Sequence, residues 1–149
     1  MQRVNWANVS CIKGENIDLI WNIQKWILIY VGFEKWDYDK KDLLITKAAQ
    51  RILNVPLFED ENEKIKRNLK DIDWEILLIP NFTLAGRNKK GNSIDYTNAE
   101  NFEKAKELFE DLYQFLKDKV RNIAKWCFWE YMKIQSEVDG PVNIILDIK

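Results

Sequence analysis

Ile27-Leu-Ile-Tyr-Val-Gly-Phe33 is a continuous apolar run rich in β-branched and aromatic residues, and it predicts a buried β-strand. Further along the chain, Leu44, Ala48 and Ile52 recur at helical spacing, and Pro56 ends that predicted helix because proline cannot continue it. A strand followed by a helix indicates mixed α and β structure in this part of the chain.

The same patterns predict further strands and a second helix on either side of this run. We predict strands at residues 3–9, 17–20, 57–58, 75–79, 128–134 and 142–148, with a charged loop or hairpin at 59–70. Thr97 and Glu100 have the spacing of a capping box at the start of the longest helix. Its apolar stripe, which we predict to be core, comprises Phe102, Ala105, Leu108, Phe109, Leu112, Phe115, Leu116 and Val120. The expected fold class is α+β, with two main helices on a curved antiparallel or mixed sheet or on a barrel-like sheet.

Length and composition favour a single domain. The chain has 149 residues, of which 46% are apolar and 32% charged, and we expect one domain spanning residues 1–149. No apolar run approaches the roughly 18 residues of a membrane span, and no signal-peptide pattern begins the sequence, so we expect a cytoplasmic protein with no membrane partner. Cys11 and Cys127 form no CxxC pair and are expected to be reduced thiols.

The chain contains no histidine. This excludes Ser-His-Asp and Cys-His catalysis and HExxH zinc sites, and no GxGxxG or GxxxxGK[ST] loop occurs. We therefore expect no metal and no cofactor, and any chemistry falls to backbone groups, a hydroxyl, a carboxylate or the substrate. The net charge of −1 argues against coating of nucleic acid by bulk attraction, although Arg87-Asn-Lys-Lys-Gly91 concentrates three positive charges that suit local phosphate contact.

A Gly140-Pro141 pair precedes the apolar run at the end of the sequence. Glycine permits close approach and proline fixes φ, so the pair is either an ordinary turn before a strand or a rigid support for exposed carbonyls. Three short segments accompany it, namely Pro80-Asn-Phe-Thr-Leu84, Phe58-Glu-Asp-Glu61 and Leu69-Lys-Asp71. Together with residues 139–147, in this order and spacing, they resemble the D-aminoacyl-tRNA deacylase family over essentially the whole chain.

The resemblance implies a cofactor-free homodimer that hydrolyses the ester bond between a D-amino acid and the 3′-terminal ribose of tRNA. The family's Ser-Gln-x-Thr-Leu motif corresponds to residues 80–84. The resemblance therefore implies catalytic roles for Asn81, Phe82 and Thr83, and substrate contacts for Pro80 and Leu84.

The family's Gly-Pro bond is cis and reaches into the pocket of the partner subunit, which implies a substrate-binding role for Gly140 and Pro141. Arg3 matches the family arginine that helps to hold the turn, while Phe128 and Met132 match residues that line the terminal-adenine pocket. We expect the two rigid carbonyls to exclude an L side chain and to accept the substrate's amino group. A mischarged glycyl ester, which has no side chain to exclude, is a second expected substrate.

The predicted mechanism needs little from the protein, because an aminoacyl ester is already activated and the ribose 2′-OH can help to expel the amino acid. We expect the protein to position the ester and to stabilise an oxyanion with the backbone N–H groups of Asn81 and Phe82. Thr83 is either a nucleophile, for which no sequence-near base is evident, or a hydroxyl that orients the substrate or satisfies the backbone.

Several motif positions depart from the family. Pro80 replaces the usual serine, as in a related animal branch with relaxed chirality, and Asn81 is one methylene shorter than the family glutamine. Val138 and Asn143 replace the asparagine and threonine that flank Gly-Pro. Two alternatives therefore stay open: an aminoacyl-tRNA editing deacylase with relaxed chirality, and a non-catalytic homologue that binds the tRNA acceptor end.

Tryptophan is unusually frequent, with seven residues against five glycines. Six of them stand where the family pattern has glycine: Trp21, Trp26, Trp36, Trp74, Trp126 and Trp129. One hypothesis is that the sequence comes from an organism that reads UGA as glycine. The alternative is genuine tryptophan in a divergent homologue, and the codons at these positions distinguish the two.

Overall fold

The computed structural model describes residues 1–13, 16–89, 91–126, 128 and 131–149, without the side chains of residues 11–24 and 26. The described strands are β1 (Gln2–Lys13), β2 (Asn16–Val31), β3 (Phe58–Glu59), β4 (Ile65–Arg67), β5 (Glu75–Pro80), β6 (Arg87–Asn88), β7 (Ile94–Asp95), β8 (Ile123–Lys125) and β9 (Met132–Asn143). The α-helices are α1 (Lys41–Asn54) and α2 (Phe102–Lys117), and short 3₁₀ helices occur at Tyr38–Lys40 and Phe82–Ala85.

Five strands form one open, mixed sheet in the order β8-β5-β2-β1-β9. β1 is antiparallel to β2 and β9, whereas β5 is parallel to β2 and β8. The predicted α+β class, with two main helices on a mixed sheet, is confirmed. Neither α1 nor α2 is long and apolar enough to cross a membrane.

The two faces of the sheet bury alternate residues of the same strands, as the two-residue period of a strand requires. Ile27 and Ile76 pack in the cluster that includes the buried faces of α1 and α2. Leu28 and Leu77 lie in a second cluster with Val4 and residues of β8 and β9. The apolar run that starts at Ile27 therefore contributes to the core on both faces of the sheet, and its strand ends at Val31.

Several predicted boundaries are wrong. Residues 17–20 and 27–31 belong to one long strand, β2. Phe128 and Tyr131 precede β9, which begins at Met132, and residues 129 and 130 of that predicted strand lie outside the described residues. The predicted strand at 142–148 ends at Asn143. Beyond it, Ile144 exchanges backbone hydrogen bonds with Met1, and the apolar residues continue to pack on the core without a ladder. β8 was not predicted, because three residues without alternation carry too little pattern.

The start of α2 also differs from the prediction. Asn101 is the N-cap, and its side chain accepts a hydrogen bond from the Glu103 N–H (3.0 Å). Thr97 instead bonds Asp95 through both its N–H and its hydroxyl, and the Glu100 N–H donates to the Phe33 carbonyl (3.0 Å). The Thr97 capping box does not form, because Asn101 caps the helix and Asp95 accepts the hydrogen bonds of the Thr97 N–H and hydroxyl.

Gly140-Pro141 lies inside β9 rather than in a turn that precedes a strand. Val138 pairs with Val4 and Asn143 pairs with Gln2, so the four residues 139–142 stand opposite Arg3 alone. The Gly140-Pro141 peptide is cis, and Gly140 has φ +117°. This bulge leaves both residues exposed at the edge of the sheet.

Of the six tryptophans, three have described side chains. Trp36 is 73% exposed with φ +77°, a backbone region that favours glycine. Trp126 is buried, and its indole N–H has no hydrogen-bond partner in the described part of the chain. Trp74 is half-buried, with its ring 4.6 Å from that of Phe58. Trp36 therefore fits the glycine hypothesis best, while the side chains of Trp21, Trp26 and Trp129 lie outside the described residues.

Replacing Trp36 by glycine is expected to stabilise the fold by about 1 kcal/mol, since it removes backbone strain and gives up little packing. Trp74→Gly is the matched comparison: the loss of its contact with Phe58 should cost about 2 kcal/mol. Urea unfolding of both variants measures the two effects. A loss of stability in Trp36→Gly would contradict the strain inferred for this position.

Candidate active site

A cavity of about 510 Å³ opens where β2 and β5 end beside the start of α2. Its described walls come from the ends of β2 and β5, the start of α2 and the start of β9, namely Val31, Gly32, Phe33, Pro80, Asn81, Phe82, Tyr96, Ala99, Glu100, Phe102, Ala105, Phe128, Tyr131 and Met132. Of the predicted site residues, it brings together Pro80, Asn81, Phe82, Phe128 and Met132. The volume lies within the range of small-molecule sites, and the lining is mainly apolar and aromatic.

The other predicted site residues do not line this cavity. Thr83 and Leu84 follow in the 3₁₀ turn and are exposed. Gly140 is eight residues beyond Met132 on β9, roughly 26 Å along an extended strand. Arg3 pairs with Ile27 of β2, and Ile27 lies five residues before Gly32, which lines the cavity. The cavity and the bulge are therefore separate features of one chain.

Asn81 is held by its backbone and by one atom of its side chain. Its N–H donates to the Val31 carbonyl (2.7 Å), and its Oδ1 accepts from both the N–H (3.1 Å) and the hydroxyl of Thr83. The Asn81 N–H, which the sequence argument assigned to the oxyanion, already donates to Val31 in this structure, so its role as a donor stays a prediction. The side-chain Nδ2 remains as a donor on a residue that lines the cavity.

Gly32 lets the end of β2 approach this turn closely. A Cβ at Gly32 would lie 2.7 Å from the Asn81 carbonyl oxygen and 2.9 Å from the Leu84 Cβ, distances that real side chains do not tolerate. Gly32 is thus required for the packing that fixes Asn81 beside Val31.

The Thr83 hydroxyl orients Asn81 and has no base beside it in the described structure, because an amide oxygen does not accept its proton for nucleophilic attack. Thr83→Val is therefore expected to reduce kcat about tenfold without abolishing turnover, since Asn81 keeps the bond to the backbone N–H. Thr83→Ser should restore most of the activity. Steady-state hydrolysis of an aminoacyl ester measures this, and complete loss in the valine variant would instead support a nucleophile.

Aromatic rings dominate the cavity wall. Phe128 contacts the rings of Phe102 and Phe109 at centroid distances of 5.4 and 5.8 Å, and Phe82 contacts Tyr96 at 5.4 Å. The prediction that all aromatics of α2 are core is wrong for Phe102, which is 37% exposed and lines the cavity. It lies at the first position of the helix, where the apolar stripe leaves the core.

Sequence reasoning also missed Tyr96, Glu100 and Tyr131, which line the cavity. Tyr96 and Tyr131 belong to no short motif, and Glu100 was assigned only to a helix capping box. Only the fold brings the three residues to residues 80–82. Tyr96 follows Asp95, whose pKa is lowered to about 2 by hydrogen bonds from Lys89 and Thr97. The ionised Asp95 therefore holds the turn that presents Tyr96.

Two further carboxylates lie near Glu100, the acidic residue among the described lining of the cavity. Burial raises the pKa of Asp37, and the nearby carboxylates of Glu34 and Glu100 raise it further, although a hydrogen bond from the Glu34 N–H opposes this. Arg87 forms an ion pair with Glu34. Within the described residues, no three His, Cys, Asp or Glu side chains are placed to bind a metal, and the expected absence of a cofactor stays a prediction.

Arg3 ties the bulge of β9 to the neighbouring hairpin. The guanidinium is 6% exposed and donates to the Leu57 carbonyl (3.0 Å) and to Glu59 (2.8 Å). Its Nε lies 2.8 Å from Asp139 Oδ2, a charge contact rather than a well-directed hydrogen bond. The hydrogen bond from Arg3 lowers the pKa of Glu59. A buried cation thus joins residue 139 of the bulge to β3.

The sequence model of the D-Tyr-tRNA(Tyr) deacylase family matches residues 1–147. The chain belongs to this family.

Curated relatives and solved structures agree with this membership. The D-aminoacyl-tRNA deacylase of Thermodesulfovibrio yellowstonii is 36% identical over 149 residues, which covers 100% of this chain and 97% of the relative. The D-aminoacyl-tRNA deacylase of Lactobacillus gasseri is 38% identical over 148 residues, covering 99% and 97%. A solved structure titled c-Myc DNA Unwinding Element Binding Protein has a TM-score of 0.84 and 31% identity, covering 98% of this chain and 95% of that one. A probable eukaryotic D-amino acid tRNA deacylase, at 14% identity and a TM-score of 0.75, shares the fold.

Proposed function

We propose that this chain is a D-aminoacyl-tRNA deacylase, a hydrolase that cleaves the ester bond between a D-amino acid and the 3′ acceptor end of tRNA. Membership of the family and the names of the curated relatives support this activity. The products are the free D-amino acid and tRNA. We place the enzyme in the cytoplasm, where it serves translation quality control.

The observation that carries the proposal is the meeting of the 80–82 turn with Phe128 and Met132 in one cavity. Aromatic and thioether side chains can pack against the flat face of any nucleobase, whatever hydrogen-bonding groups its edge carries. Such packing suits the unpaired base at the single-stranded 3′ end of an RNA. The adenine would lie against Phe128, Met132 and Phe102. The ester would then lie near Asn81 and Phe82.

The separation between cavity and bulge supports a homodimer in which each subunit completes the other's site. Gly140 and Pro141 are exposed and do not line the cavity of their own chain. A partner's bulge could supply the two carbonyls that exclude an L side chain and accept the substrate's amino group. D-aminoacyl esters would fit, and glycyl esters mischarged on a non-cognate tRNA would fit too, since a clash with a side chain is what rejects a substrate.

In the proposed mechanism the protein positions the ester and stabilises the developing oxyanion. The Phe82 N–H, as predicted from the sequence, and the Asn81 Nδ2, as the geometry favours, are the donors we assign. The ribose 2′-OH assists departure of the amino acid, so the chemistry needs no histidine and no cofactor.

Pro80 favours one second candidate, a deacylase with relaxed chirality, because the residue is shared with a branch of that kind and lines the cavity. Matched D-, L- and glycyl-tRNA, incubated with the purified protein, test both. We expect D and glycyl esters to be hydrolysed at least a hundredfold faster than the L ester. Equal rates for D and L would establish relaxed chirality, and binding without turnover would establish a non-catalytic acceptor-end module.

A further inference from the structure

The cavity contains one formally charged side chain among its described lining residues, the carboxylate of Glu100. The remaining lining is apolar and aromatic, with polar groups from Asn81 and two tyrosines. A single carboxylate among apolar and aromatic side chains favours a ligand group of opposite charge over a neutral or anionic one.

Glu100 is fixed in place before any ligand arrives. Its N–H donates to the Phe33 carbonyl (3.0 Å), and its Oε1 accepts from the Asn101 N–H (2.8 Å). The second carboxylate oxygen has no partner in the described part of the chain. One oxygen thus anchors the side chain at the start of α2, and the other can bind a ligand without a rotamer search.

The proposed substrate has a single cationic group. Its phosphates are anionic, its adenine and ribose are neutral, and the α-amino group of the esterified amino acid is a cation below an ordinary pKa of about 8. A carboxylate in the cavity repels the phosphates and attracts only that ammonium. Asp37 and Glu34 add negative potential near Glu100, which the ion pair of Arg87 with Glu34 offsets in part.

We propose that Glu100 binds the α-ammonium group of the aminoacyl ester and thereby selects esters with a free amine over N-acylated ones. The proposal rests on the proposed deacylase function and adds a specificity determinant to it. An amide-blocked nitrogen carries no charge and is bulkier, so N-acetylated or peptidyl esters would lose this contact. The enzyme would then spare peptidyl-tRNA while it hydrolyses misacylated tRNA.

Glu100→Gln tests this, because glutamine keeps the acceptor for the Asn101 N–H and removes only the charge. The assay compares a D-aminoacyl-tRNA with its N-acetyl derivative near pH 6, where the free amine is protonated. We expect the variant to lose about tenfold in kcat/KM for the free-amine ester, as expected for one charge-assisted contact, and to be unchanged for the N-acetyl ester. Glu103→Gln is the matched control, since Glu103 lies in the first turn of α2, three residues beyond Glu100, but does not line the cavity.

Each outcome decides the matter. Equal losses for both esters would overturn the proposal and indicate a contact with a neutral hydroxyl or a structural role, which a lowered thermal midpoint would identify. No loss for either ester would also overturn it. If the wild-type protein hydrolyses no D-aminoacyl-tRNA, the proposed function and this inference fail together, whereas wild-type turnover with an unselective Glu100→Gln variant removes only the inference.

Discussion

Gly140→Ala is expected to reduce hydrolysis of D-aminoacyl-tRNA by about a hundredfold while the protein stays folded. Gly140 has φ +117°, and a Cβ there would lie 2.8 Å from the Val142 N and 2.9 Å from the Val142 Cγ2. The bulge must therefore shift to admit alanine, and a displacement near 1 Å in a positioning group costs about this much in rate. Single-turnover rates on matched D- and L-esters measure the effect.

Gly91→Ala is the control for backbone strain alone. Gly91 also has a positive φ, +85°, but a Cβ there meets nothing within 4 Å. Its variant should keep near wild-type rates despite some loss of stability. If Gly140→Ala also kept its rate and its chiral preference, the proposed role of the bulge would be refuted.

Arg3→Ala is expected to destabilise the fold by about 3 kcal/mol, because it strands the Leu57 carbonyl and removes the cation shared by Glu59 and Asp139. Arg121→Ala is the control, since its ion pair with Asp73 is exposed and such pairs contribute about 0–1 kcal/mol. Urea unfolding at neutral pH measures both. Similar losses in the two variants would contradict the stabilising role assigned to Arg3.

The pH dependence of that stability has a definite sign. Arg3 lowers the pKa of Glu59 below its ordinary value of 4.5, so the folded state holds Glu59 ionised more strongly than the unfolded state does. This contribution is present above the ordinary pKa and is lost as the pH falls through the lowered one. The unfolding free energy of Arg3→Ala should therefore depend less on pH below about 4.5 than that of the wild type.

The spacing of apolar residues predicted those helices and strands whose own sequence shows a clear helical or strand pattern. The stripe through Leu108, Leu112 and Leu116 is buried, and residues 27–31 form a central strand. The start of α2 was missed, because two residues could cap the helix. Asn101 lies next to the first helical residue and caps it, whereas Thr97 donates its hydrogen bonds to Asp95. β8 is too short to carry a pattern and forms through its parallel pairing with β5.

The candidate site was predictable only where a contiguous motif marked it. Residues 80–82, Phe128 and Met132 were placed in one site by the family resemblance, and they do share a cavity. Glu100 and Phe102 were missed because their side chains look like a helix start and a core stripe in the sequence. The occupied N–H of Asn81 was also invisible, since its acceptor, Val31, is fifty residues away in the chain.

The bulge in β9 separates the sheet from the segment it displays. Val4 pairs with Val138 and Gln2 pairs with Asn143, so residues 139–142 can change in composition without shifting the partners on either side. Substitutions there would alter which ester is accepted, while the ladder that carries the segment keeps its register. Substrate choice can thus diverge on this fold within a strand, as it does in the surface loops of other enzymes, provided that Asp139 keeps its contact with the buried Arg3.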